Sequence, residues 1–448
     1  LKNMLLPRAG RALRAGVRPR ELWAWAMYDF ANSGYTTVVI TALFNTYFVS
    51  VVAGNAPWAT FAWTAALSFS YGLVVLSAPV IGAWADLHAA KKGLLAATTV
   101  GCVLFTALLY FAQPGALPLA IVCVVASNFF FGSGENLIAA FLPEIAQTRA
   151  LGRVSGWGWS LGYVGGMVTL ATCLVYVAWD QSQGMTATHF VPITMLITAG
   201  MFALASLPTF LLLRERATPS TAHEPMVRPA WRRIWQTLHQ LRQFADLRQF
   251  LLCSLFYQAG IQAVITLAAV YATQAMGFST RQTLSLILVV NLTAAAGAFV
   301  FGQWQDRIGH VRAIALTLAG WIVTVLLAWA AQEPVLFWLA ANTAGLCMGA
   351  SQSAGRAMVG VLAPRSRTGE FFGLWGLAVK LAAMIGPLTY GATTWISGGD
   401  HRQALLVTGL YFIIGLMLLS GVNVVRGRRA ALREERLMRH TIRSVISP

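Results

Sequence analysis

Long apolar runs, broken by short polar and mostly basic segments, set the pattern of this chain. They fall at about 24–50, 59–83, 94–113, 116–140, 154–179, 189–213, 249–273, 281–304, 312–331, 335–360, 371–396 and 403–425. A bilayer core about 30 Å thick needs about 20 mostly apolar helical residues to cross it, so each run predicts a membrane-spanning helix. The expected fold class is all-α: a polytopic membrane protein of twelve helices, with both termini on one face because the count is even.

Several runs also carry polar residues at helical spacing. The first has Asp29, Ser33, Thr37, Thr41 and Asn45, each four apart, with Asn32 beside them, and the seventh has Ser254, Gln258, Gln262 and Thr266. The fourth places Asn128, Gly132 and Glu135 on one face, and the tenth places Asn342, Gly345, Gly349, Gln352 and Arg356. Intramembrane polar groups usually face a bundle interior or a pathway, so these lines are expected to border a central wet cavity. Hydrogen bonding between helices is the purely structural alternative.

Composition agrees. The 448 residues are 57% hydrophobic and only 10% charged, where soluble chains carry about 25% charged residues. The five cysteines are scattered through apolar runs without metal-ligand spacing, so they read as small buried hydrophobes. A net charge of +17 suggests nucleic acid until the basic residues are placed. Six precede the first run, seven follow the last and fifteen lie in loops on that same side, while only Arg281 and Arg402 fall opposite; Arg356 and Lys380 lie within runs. Positive loops stay cytoplasmic, which predicts cytoplasmic termini, a bacterial inner-membrane location, attraction to anionic lipid and no nucleic-acid partner. The basic stretch before the first run lacks a small-residue cleavage pattern and reads as preceding an uncleaved helix. The tail after Val425, with arginines among Glu434 and Glu435, predicts an amphipathic surface helix.

The halves repeat. Gly82-Ala-Trp-Ala-Asp86 after the second run matches Gly302-Gln-Trp-Gln-Asp306-Arg307 after the eighth at an offset of 220, and Gly152 to Gly156 matches Gly369 to Gly373 at an offset of 217. This predicts a six-helix lobe over 1–213, a linker over 214–248 with an interfacial helix around Trp231 to Phe244, and a second lobe with a basic tail over 249–448.

Twelve spans, a parallel 6+6 repeat and paired Gly-x-x-x-Asp turns resemble the major facilitator superfamily. Tyr28-Asp-Phe-Ala-Asn-Ser-Gly-Tyr35, Ser155-Gly-Trp-Gly-Trp-Ser-Leu-Gly-Tyr-Val-Gly-Gly166 and Gly349-Ala-Ser-Gln-Ser353 through Gly369-Glu-Phe-Phe-Gly373 resemble the UMF1 family of Atg22-like effluxers. The resemblance implies alternating access, with Asp86 and with Asp306 beside Arg307 holding helix ends together on the cytoplasmic side, and amino-acid efflux by analogy. The chain departs from the pattern at Leu87 and Ala89, where a basic residue and a glycine are usual, and at Phe30 and Gly355.

A charge at mid-membrane costs about 2.5–3.5 kcal/mol on insertion scales. Asp29, Glu135 and Arg356, near the cytoplasmic ends of their runs, are expected to form a charged gate, with a static ion pair as the structural alternative. Lys380 lies about 15 Å into the eleventh run, near the midplane, where it suits a solute carboxylate or phosphate, or an internal partner such as Asp29 or Glu135. Trp157 and Trp159 read as interfacial anchors, Gly158, Gly162 and Gly166 as a close-packing face, and Gly386-Pro387 as a kink. There is no Gly-x-x-x-x-Gly-Lys-Ser/Thr, His-Glu-x-x-His or Gly-x-Ser-x-Gly sequence, and His189 and His401 stand alone. The expected function is therefore a monomeric, cofactor-free carrier of a small solute, secondary active with the proton as candidate co-substrate or else facilitative; an amino acid or other anionic or zwitterionic solute suits Lys380 and the neutral hydrogen-bonders, and a sugar or nucleotide-like solute stays open. A sensor that keeps a transporter shell, and less so a membrane enzyme, are the alternatives.

Overall fold

The computed structural model describes residues 12–54, 56, 59–216, 241–278, 280–397 and 400–446. The expected interfacial helix of the linker falls mostly outside them.

Eleven helices among the described residues are long and apolar enough to cross a membrane, and a bent pair within Ala59–His88 makes the twelfth. We number them α1 Pro19–Val52, α2 Ala59–His88, α3 Lys91–Phe111, α4 Leu117–Ala139, α5 Leu151–Ser182, α6 Ala187–Leu212, α7 Ala245–Gln274, α8 Thr280–Ile308, α9 His310–Ala330, α10 Pro334–Leu362, α11 Thr368–Ile396 and α12 His401–Ser420. A basic helix, α13 Val424–Ile446, comes next, as the tail pattern predicts. Its Arg426 grips Asp246 of α7 at 2.7 Å.

Helix α1 is not uniform. Residues Thr36–Ala42 and Phe48–Val52 are π-helical. The first π segment coincides with an unbroken β-branched run from Thr36 to Thr41, whose stiff side chains crowd a regular α-helical turn. Helix α11, by contrast, continues through Pro387 as one span, and Gly386 fits against the backbone of Ala259 instead of marking a break.

The helices form two lobes, each with its own apolar core. One core joins α1 to α6 and takes in Ala357 and Val361 of α10; the other joins α7 to α12 and takes in Ala139 of α4 and Tyr163 of α5. The lobes meet where α5 packs on α8 and α2 on α11. Both contacts use glycines against backbone: Gly302 sits on Gly152 and Gly156, and Gly82 sits on Gly369. The two repeated blocks therefore interlock crosswise, the first copy of one meeting the second copy of the other.

Candidate functional site

Two related clasps close the face that carries the termini. The Asp306 carboxylate accepts from the backbone N–H groups of Gly152 (3.0 Å) and Arg153 (3.1 Å), in the first turn of α5. The Asp86 carboxylate accepts from Glu370 N–H at 3.0 Å, in the first turn of α11. A carboxylate at a helix N-terminus satisfies orphan donors and the positive end of the helix dipole. Arg307, expected to support Asp306, is instead exposed, because one residue on from Asp306 the helix has turned about 100°.

The first copy of the turn, despite its departures, is the more heavily tied. Lys91 Nζ contacts Asp86 and Glu144 at 2.9 Å each and donates to Thr368 Oγ1 at 2.8 Å. Ala89 adopts φ 48°, and Gly309 at the equivalent place in the second copy also has a positive φ, 91°. A side chain there costs about 1–2 kcal/mol, so the first copy keeps a positive φ despite the loss of its glycine. Glu215, at the start of the linker, accepts from the N–H groups of Lys91 and Lys92, and burial raises its carboxyl above the ordinary range.

Beyond these clasps lies a cavity of about 560 Å³ lined by both lobes. It runs from Asp29 and Arg356 to the opposite helix ends, where Asn45, Thr46 and Tyr271 line it. Asp29, Asn32, Ser33, Thr37, Asn128, Glu135, Gln262, Gln352, Arg356 and Lys380 all border it. Gln258 does not: it is fully buried and donates to Gln352 Oε1 at 2.8 Å, positioning a wall residue from behind. Asn342 does not either. Phe337, Ala340, Ala341, Ala344, Met348, Gln352 and Arg356 are the wall positions on α10, and Asn342 turns away to bond the carbonyl of Trp338. Gly345 and Gly349, expected on the same face, pack against α8.

The four intramembrane charges form two separate pairs. At the cavity floor Arg356 donates to Asp29 through Nη1 (3.0 Å) and Nη2 (2.7 Å), and Nε donates to Ser155 Oγ at 3.2 Å. The guanidinium lies over Trp25 (4.7 Å) and Trp159 (5.2 Å), so Trp159 is an Arg356 partner and not an interfacial anchor. In the wall Lys380 Nζ donates to Glu135 at 3.0 Å, with the rings of Tyr71 and Phe131 at 5.3 and 5.4 Å. The three-residue gate expected from sequence is therefore a pair, with Glu135 assigned to Lys380. Gly132 makes room for the lysine: a Cβ there would meet Lys380 Cε at 3.3 Å.

Sequence reading missed Tyr71, Phe131, Asn136, Trp159 and Tyr163 as cavity residues. The aromatics carried no signal, since they look like core in an apolar run. Asn136, adjacent to Glu135, was visible as a polar residue in the fourth run. The two histidines that stand alone in sequence have partners: His189 bonds Asp180 at 2.8 Å and His401 bonds Tyr390 at 3.0 Å. No group of three or more potential metal ligands occurs among the described residues.

Two six-helix lobes around a polar cavity, clasped at one end by repeated Asp turns, make up the fold seen in major facilitator transporters. The solved organic anion transporter MFSD10 from human superposes with TM-score 0.71 at 16% identity, covering 90% of this chain and all of that one. The fucose:proton symporter FucP in its outward conformation gives 0.69 at 13% identity, covering 92% and 100%. A family model, vacuole effluxer Atg22 like, matches residues 49–432, and the chain belongs to that family. It is 24% identical over 405 residues to the uncharacterized MFS-type transporter YxiO of Bacillus subtilis, covering 89% of this chain and 94% of YxiO. It is 26% identical to autophagy-related protein 22-1 of Aspergillus fumigatus, covering 67% of this chain and 54% of the fungal protein.

Proposed function

We propose that the protein carries a small carboxylate-bearing solute, of the amino-acid type, by alternating access, and that Lys380 binds the carboxylate. The observation that carries this reading is the Lys380–Glu135 pair in the wall of a cavity lined by both lobes. A volume of about 560 Å³ falls in the usual range for small-molecule sites. The lining combines the Lys380–Glu135 pair, whose lysine a solute carboxylate can take over, with neutral hydrogen-bonders such as Asn32, Asn128 and Gln262, which suits such a solute. Because one chain encloses the whole cavity, a monomer suffices.

Basic residues concentrate on the face that carries the termini, which by the positive-inside rule is cytoplasmic. The clasps then hold an outward-open state, and solute leaves or enters the cell when they part. The Asp29–Arg356 pair, just under the cavity and bridging the lobes, is the gate that must break at the same time. Efflux is the direction suggested by the family description.

Counterflow of radiolabelled L-leucine in proteoliposomes, with and without a pH gradient, tests the reading. Saturable exchange lost in Lys380→Met at normal expression supports it. Saturable binding without exchange favours the sensor alternative, and neither binding nor exchange across a panel of amino acids refutes it.

A further inference from the structure

We infer that Glu135 decides which solute charge the cavity accepts: it occupies Lys380 as a stand-in carboxylate and must be either bridged or protonated when a solute displaces it. This rests on the carrier reading above.

The two members of the pair are held unequally. The Lys380 side chain is 8% exposed and Glu135 is 27% exposed. Lys380 is fixed between the rings of Tyr71 and Phe131, whereas Glu135 has no hydrogen-bond partner except Lys380 among the described residues. The carboxylate is the member free to move into the cavity.

The surrounding charges limit how a displaced Glu135 can be compensated. Lys380 on α11 and the Tyr71 phenol on α2 are the ionisable groups that face Glu135. Asp29 on α1 is already neutralised by two hydrogen bonds from Arg356 of α10. On α3, Lys91 is bound to Asp86 and Glu144 at the far clasp. The cavity therefore starts electrically balanced, and a net charge inside it is poorly solvated.

A solute carboxylate reaches Lys380 only by parting it from Glu135. If the solute also bears an ammonium group, the freed carboxylate accepts from that group, and one ion pair becomes two with no net charge added. If the solute is a simple anion, Glu135 is left unpaired. Balance then requires one proton from solvent to bond to a Glu135 carboxylate oxygen as the anion enters. Zwitterions enter alone, and anions enter with a proton.

Calorimetry on the full-length wild-type protein in detergent tests this with L-leucine and its deaminated counterpart, 4-methylpentanoate, each titrated in buffers of different ionisation enthalpy. The expected result is proton uptake of about one per bound 4-methylpentanoate and none per L-leucine. In Glu135→Gln, preference should shift by about tenfold or more toward 4-methylpentanoate, with its proton uptake abolished. Equal proton uptake for the two probes in wild type, or an equal loss of both in folded Glu135→Gln, overturns the role of Glu135 while leaving the carrier reading intact. Binding of neither probe by wild type, with no other amino acid or its deaminated counterpart bound across the same panel, overturns both.

Discussion

Gly158 of α5 lies so close to Arg356 of α10 that a Cβ on it would sit 2.8 Å from the guanidinium Nη2 and would also overlap the Asp29 carboxylate. The bidentate pair between lobes exists because this position has no side chain. In Gly158→Ala, overpacking should lower stability by about 1–3 kcal/mol. The measurement is thermal unfolding in detergent alongside transport. Wild-type stability with wild-type transport would show that the pair tolerates displacement.

Removing one partner of the floor pair leaves the other charge buried and unpaired. Asp29→Asn or Arg356→Gln alone is expected to cost about 3–5 kcal/mol. The double substitution should cost clearly less than the sum, since neither charge then remains. A double-mutant cycle by thermal denaturation, with membrane insertion checked by fractionation, reads the coupling; additive losses would rule out a tightly coupled pair.

The crosswise clasps make a second expectation. Asp86→Asn and Asp306→Asn each replace a charged acceptor at a helix N-terminus, a change of about 0.3–2 kcal/mol in favour of opening. Ala357 is buried against the first-lobe core on the clasped face, so Ala357→Cys reports that opening. Labelling by a membrane-impermeant maleimide from the termini side should rise several-fold in each Asp variant. Unchanged labelling in both would show that the clasps do not set the conformational balance.

Gln258 gives a contrast between wall and support. Because it touches the cavity only through Gln352, Gln258→Leu should lower solute affinity modestly, leaving a Gln352 acceptor unpaired at a cost of about 1–3 kcal/mol. Asn342→Leu, which changes a residue turned away from the cavity, should leave solute affinity at the wild-type value in the same binding titration. An affinity loss in Asn342→Leu equal to that in Gln258→Leu would contradict the described cavity wall.

Hydropathy, basic-residue placement and repeat spacing are local properties, and they were enough to predict the spans, the two lobes and the polar line of α1. They also singled out all four intramembrane charges. What they left open was which acid meets which base. Asp29 and Arg356 are 327 residues apart and Glu135 and Lys380 are 245 apart, so their pairing depends on how each helix rotates within its lobe and how the lobes dock. The same dependence turned Asn342 and Gln258 out of the cavity and brought Tyr71, Trp159 and Tyr163 into it, because a few tens of degrees of rotation about a helix axis decide whether a side chain meets water or a neighbouring helix.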